Sequence, residues 1–143
     1  MSTSQPTAVT VPRLSDRLRP FPELDALRLA AEEGCLAIPH CVACGRSHWY
    51  PRAVCPHCHS TAIEFRPAAG DATIHSYTIV RRKGSPYVLA YVNLAEGPAM
   101  LTNIVDCDLQ SLRIGMQLRL RFVTGPMGEV IPAFAPGETH AAA

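Results

Sequence analysis

From Ala72 onward, apolar and polar residues follow one another with the short period of strands. Ala72–Arg82 is rich in Thr, Ile, Tyr and Val and predicts a first strand. Lys83-Gly84-Ser85-Pro86 then turns the chain. Tyr87–Ala95 is apolar on both faces, as a covered barrel strand would be. Gly97-Pro98 marks the next turn, and Ala99–Val105 predicts a third strand. Met116–Val123 alternates cleanly, with Met116, Leu118, Leu120 and Phe122 on one face and Gln117, Arg119 and Arg121 on the other. A turn over Gly125 to Gly128 leads to a last short strand, Glu129–Phe134. Asp108–Arg113, closed by Gly115, reads as a helical turn between the third and fourth strands. Five short strands in this order predict a small OB-type barrel.

Upstream, the period lengthens. Leu24, Leu27 and Ala31 recur at spacings of three and four and predict a helix over 22–33, with Gly34 as terminator. Glu32 and Glu33 oppose the helix dipole at that end, so the helix depends on packing or on a partner. Residues 1–20 carry Pro6, Pro12 and Pro20 without an apolar period and are expected to be a flexible tail.

Between helix and strands stand two cysteine pairs, Cys41-x2-Cys44 and Cys55-x2-Cys58, ten residues apart. Each pair places two thiolates close enough to grip one ion, and the spacer lets the second pair fold back onto the first. Four thiolates leave no open coordination position, so the expected metal is structural Zn²⁺. Iron is the rival, because soft thiolates accept it as well. Gly45 suits the tight turn of a zinc knuckle. Trp49 and Tyr50 are placed to cover one side of so small a site. His40, His57 and His59 adjoin the cysteines and read as solvent-facing neighbours of a full shell. Cys35 and Cys107 read as small buried hydrophobes.

Composition narrows the classes further. The chain has 143 residues, a formal net charge of +1 and 48% hydrophobic residues. Near-neutral charge provides no general field for nucleic acid or anionic membrane. No apolar run reaches the roughly 18–20 residues that span a bilayer. The polar first residues lack a secretory core, so the expectation is a cytoplasmic protein with metal-bound cysteines, not three disulfides. No nucleophile elbow, P-loop or dinucleotide fingerprint is present, and the twelve acidic residues form no evident pair.

Several motifs in order carry a resemblance. They are Cys41-x2-Cys44-Gly45, Tyr50-Pro51-Arg52-x2-Cys55-Pro56-x-Cys58, Ser76–Arg82, Pro86-Tyr87-Val88, Leu94–Gly97, Ile114-Gly115-Met116 and Pro132–Pro136. Over residues 22–136 the chain resembles the zinc-ribbon/OB-fold proteins associated with acyl-CoA metabolism, long filed as a domain of unknown function. Relatives commonly carry Phe-Trp in the N-terminal helix, where this chain has Leu and Ala, and Pro-Pro-Arg where it has Tyr50-Pro51-Arg52. The expected fold is mainly β: an N-terminal helix plus a rubredoxin-like four-cysteine zinc ribbon over 21–66, then a five-stranded OB-fold barrel over 67–136, with tails at 1–20 and 137–143.

The resemblance implies a non-catalytic accessory subunit of a thiolase-like enzyme, or of a hydratase or aldolase, with the barrel helping to hold the CoA part of a substrate. No catalytic residue is carried over. Arg81, Arg82 and Lys83, at the tip between the first two strands, are candidate contacts for CoA phosphates or an acidic partner face. The alternative is a nucleic-acid-binding OB protein, with Tyr77, Tyr87 and Tyr91 stacking bases. Against it stand the sparse aromatics, at 6%, and the shared face of Tyr87 and Tyr91, where core packing is expected.

Overall fold

A computed structural model describes residues 23–137. The expected tail over 1–20 lies outside the described residues, as does 137–143 beyond Gly137. The elements run α1 (Glu23–Glu32), β1 (Ala37–Cys41), β2 (Ile63–Pro67), β3 (Asp71–Val80), β4 (Tyr87–Leu94), β5 (Ala99–Ile104), β6 (Gln117–Thr124) and β7 (Val130–Pro136). β1 and β2 pair antiparallel and carry the cysteine loops between them. The other five strands close a barrel in the order β3-β4-β5-β7-β6, with β6 returning to β3.

α1 starts with Glu23 and Asp25, where the dipole favours acids, and has no basic residue in its last turn. It ends at Gly34, whose φ of 80° is open to glycine without steric cost. Gly34 N–H donates to Ala31 at 3.0 Å and Cys35 N–H to Ala30 at 2.8 Å, a Schellman closure. Buried Ala31 and half-buried Leu27 turn inward, and the helix packs against β1 and β7. Packing therefore holds a helix whose C-terminal charges oppose it.

In the barrel wall, inward and outward residues alternate most regularly along β4 and β5. Along β4, Val88, Ala90, Val92 and Leu94 are buried, and along β5 so are Met100, Thr102 and Ile104. Leu36 and Ile38 from the ribbon side join the same apolar cluster as Ile74, Leu118 and Phe134. Ribbon and barrel thus share one core. β7 lies between two partners: it runs parallel to β5 at Ile104 and antiparallel to β6 along its whole length.

Some expectations change. β4 is not apolar on two covered faces. Its outer residues Tyr87 and Tyr91 point to solvent, and Tyr91, at 49% exposure, faces Leu101 of β5 in register. Those two tyrosines are therefore not core residues. The first barrel strand ends at Val80, two residues before Arg82. Asp108–Arg113 makes one hydrogen-bonded turn and no helix: Ser111 N–H donates to Asp108 C=O at 3.0 Å. The Asp108 carboxylate accepts from the Ser111 hydroxyl and the Gln110 N–H, which hold it below the ordinary aspartate range. β2, over Ile63–Pro67, was not legible as a strand.

Candidate metal centre and its surroundings

The two knuckles repeat one backbone device. In the first, Gly45 N–H donates to Cys41 C=O at 2.9 Å with Gly45 at φ 73°. In the second, His59 N–H donates to Cys55 C=O at 2.9 Å with His59 at φ 64°. Each cysteine pair is thus wrapped by a left-handed residue directly after its second cysteine. β1 delivers Cys41, and the antiparallel β1–β2 ladder holds the two knuckles face to face.

All four sulfurs lie within 4.8 Å of one another. Cys41 Sγ is 3.5 Å from Cys58 Sγ, and Cys44 Sγ is 3.7 Å from Cys55 Sγ. A tetrahedron of thiolates about 2.3 Å from Zn²⁺ has edges of about 3.8 Å, so the donor set fits the ion. Cys41 and Cys55 are buried, while Cys44 and Cys58 reach solvent. Burial by itself would raise the Cys55 thiol, but the N–H groups of Cys58 and His57 directed at its sulfur bring it down to about 7. The His57 N–H lies 3.4 Å from that sulfur. Such backbone donors favour the thiolate that a metal requires. Zinc would supply a fixed crosslink here and no chemistry.

His59 occupies a conformation that costs a residue with a β-carbon about 1–2 kcal/mol. His59→Gly should therefore stabilise the zinc-loaded chain, by on the order of 0.5–1 kcal/mol once the larger unfolded-state freedom of glycine is deducted. Chemical denaturation of the zinc-loaded protein measures this. A lower midpoint for the variant would assign the exposed imidazole a stabilising contact of its own.

The residues between the pairs divide differently from expectation. Trp49 packs against the shared core, and exposed Tyr50 meets it edge to face with ring centroids 5.9 Å apart. Trp49 thus joins metal loop to core. His57 and His59 are exposed, and half-buried His40 contacts the Ser47 hydroxyl through Nδ1 at 3.0 Å. His48 is buried, which no local pattern announced.

Arg81, Arg82 and Lys83 stand exposed in the loop from β3 to β4. Arg82 lies 5.9 Å above the Tyr87 ring, a cation–π contact at the root of that loop. No helix among the described residues is long and apolar enough to cross a membrane.

A four-thiolate ribbon set on a closed five-stranded barrel defines a zinc-ribbon/OB-fold protein. Residues 30–64 match the family described as the ChsH2 rubredoxin-like zinc ribbon domain, and residues 65–123 match the ChsH2 C-terminal OB-fold domain. A DUF35 domain-containing scaffold protein of Methanocaldococcus jannaschii is 33% identical over 98 residues, covering 64% of this chain and 70% of that protein. A probable enoyl-CoA hydratase alpha subunit of Thermomonospora curvata is 32% identical over 112 residues, covering 75% of this chain but 35% of its own length. Among solved structures, a chain of an Ltp2-ChsH2(DUF35) aldolase superposes with a TM-score of 0.72 at 30% identity, covering 79% of this chain and 93% of that one. The chain belongs to the DUF35 family.

Proposed function

We propose that this chain is a non-catalytic accessory subunit that binds and stabilises an acyl-CoA enzyme of the thiolase-like, hydratase or aldolase kind. Cys41, Cys44, Cys55 and Cys58 hold one structural Zn²⁺, residues 21–66 supply the docking part and residues 67–136 the barrel. The observation that carries this is the set of large apolar residues that the metal loops leave exposed. Val42 is 58% exposed, Tyr50 51% and Val54 43%, on a frame that the ion would make rigid. Relatives named as scaffold proteins, and a similar chain in a structure titled as an Ltp2-ChsH2(DUF35) aldolase, support it. The hydratase name belongs to a much longer protein, of which this chain matches 35%.

Native purification from the source organism, followed by identification of co-purifying chains, tests the assignment. A thiolase-like, hydratase or aldolase companion is expected, and recovery of the chain alone would sink it. In the assembled complex, Arg81, Arg82 and Lys83 contribute to CoA-ester binding through charge-assisted contacts with phosphate. Arg82→Ala with Lys83→Ala should weaken CoA-ester affinity about tenfold, read by titration of the complex. Unchanged affinity would remove the ligand role of this loop.

One observation favours the second reading, a nucleic-acid binder. Tyr87 and Tyr91 are exposed on the outer face of β4 with the basic loop nearby. The formal net charge of +1 counts against a basic groove. Salt-sensitive micromolar binding to a labelled single strand would favour that reading over the first.

A further inference from the structure

Between the metal loops and the β4–β5 turn lies a cleft of about 810 Å³. Its polar wall carries His40, Arg46 and Arg66, and Trp49 and Pro98 line it with apolar surface. His48 also lines it, and is only 3% exposed. Both ring nitrogens of His48, Nδ1 and Nε2, lack a hydrogen-bond partner among the described residues. Its backbone is fixed, because His48 N–H donates to Pro39 C=O at 3.0 Å.

Burial, reinforced by His57 and Arg52 nearby, holds the His48 imidazole below its ordinary pKa, so the ring is neutral near pH 7. A neutral imidazole presents one N–H donor and one acceptor nitrogen. Buried groups of this kind are paired as a rule, and a pair left open next to a cleft is a demand on whatever enters it. The surrounding charges say what that is. Arg46 has no carboxylate within 4.0 Å among the described residues. Arg66 pairs with exposed Glu64, a contact that water weakens and a stronger anion can share. Glu96, on the rim, is anchored by the Ala69 N–H at 2.8 Å.

We propose that this cleft binds a phosphorylated small molecule of nucleotide size, with Arg46 and Arg66 on the phosphate and His48 bonded to its polar groups. Arginine forks match phosphate oxygens. A nucleotide also brings a hydroxyl to donate to the acceptor nitrogen of His48, which a sulfate or carboxylate lacks. Its flat base suits the apolar surface that Trp49 and Pro98 add to the lining. The volume falls in the usual range of small-molecule sites, whereas inorganic phosphate would fill little of it. Arg81, Arg82 and Lys83 do not line this cleft, so the site is separate from the loop assigned above and does not depend on the assembly reading.

The test titrates the zinc-loaded full-length chain with AMP, adenosine and inorganic phosphate while following ¹⁵N-labelled histidine side chains by NMR. AMP should bind saturably and move both His48 ring nitrogens, adenosine should bind at least about tenfold more weakly, and inorganic phosphate should displace AMP. Phosphate binding as tightly as AMP would overturn the proposal, because the base and ribose would then add nothing. Arg46→Ala, on an exposed residue, should weaken AMP about tenfold with the remaining amide spectrum unchanged. His48→Phe, which fills the site without hydrogen bonds, should do the same. No saturable AMP binding in the millimolar range, equal binding of adenosine and AMP, or parent-like affinity in a folded Arg46→Ala chain would each overturn the proposal.

Discussion

Chelation of the metal at neutral pH is expected to unfold more than the metal loops. Structural zinc in small finger peptides contributes roughly 10–16 kcal/mol, and whole domains are stable by only about 5–15 kcal/mol. A ribbon of this length is too small to build a core of its own, so the ion takes that place. Leu36 and Ile38, however, sit in the same cluster as Ile74, Leu118 and Phe134. When the knuckles open, β1 loses its anchor and those two side chains leave the barrel core exposed. The apo chain should therefore lose the near-ultraviolet signal of Trp49 and disperse fewer barrel amides in NMR spectra. Cys41→Ser with Cys44→Ser should behave the same way and release any companion enzyme. Normal assembly by that double variant would show that the ribbon is not the docking element.

Phe134→Ala is expected to have the second largest effect. Phe134 is fully buried and sits in β7 where both neighbours meet it: opposite Leu120 of β6 and beside Ile104 of β5. Its carbonyl also accepts the Val105 N–H at 2.8 Å. Truncating such a ring costs about 3–5 kcal/mol, since the cavity cannot collapse in a closed barrel. Thermal unfolding of the zinc-loaded chain should fall by at least about 10 °C. Phe134→Leu, which restores most of the volume, should recover much of that loss. A shift of only a degree or two for the alanine variant would mean the barrel can close around a gap.

The cysteine pairs and the barrel strands were readable because their signals are local. Two CxxC motifs at a ten-residue spacing determine a donor set without knowledge of the rest of the chain. Met116–Val123 alternates between strongly apolar and strongly polar residues, so its faces are evident. In Tyr87–Leu94 both faces carry large apolar or aromatic residues until Asn93, and period alone cannot say which face is inside. The register with β3 and β5 decides it: Val88 and Val92 go inward and Tyr91 goes out. β2 was hidden because its alternation, Ile63-Glu64-Phe65-Arg66, is short and ends in proline; only its ladder with β1 makes it a strand. His48 was hidden for a related reason. It is 3% exposed in a cleft whose lining runs from Ile38 to Ala99, residues that only the fold brings together.

The position of β7 between β5 and β6 has a consequence for how the chain is made. Until Val130–Pro136 leaves the ribosome, β5 and β6 each present an unpaired backbone edge and the apolar interior stays open. The metal loops, completed some seventy residues earlier, can already hold their ion during that interval. A nascent chain therefore passes through a stage with a finished ribbon tethered to an unfinished cylinder. Messages cut short before the codon for Val130 would yield products trapped at that stage, with sticky edges that chaperones or proteases must remove.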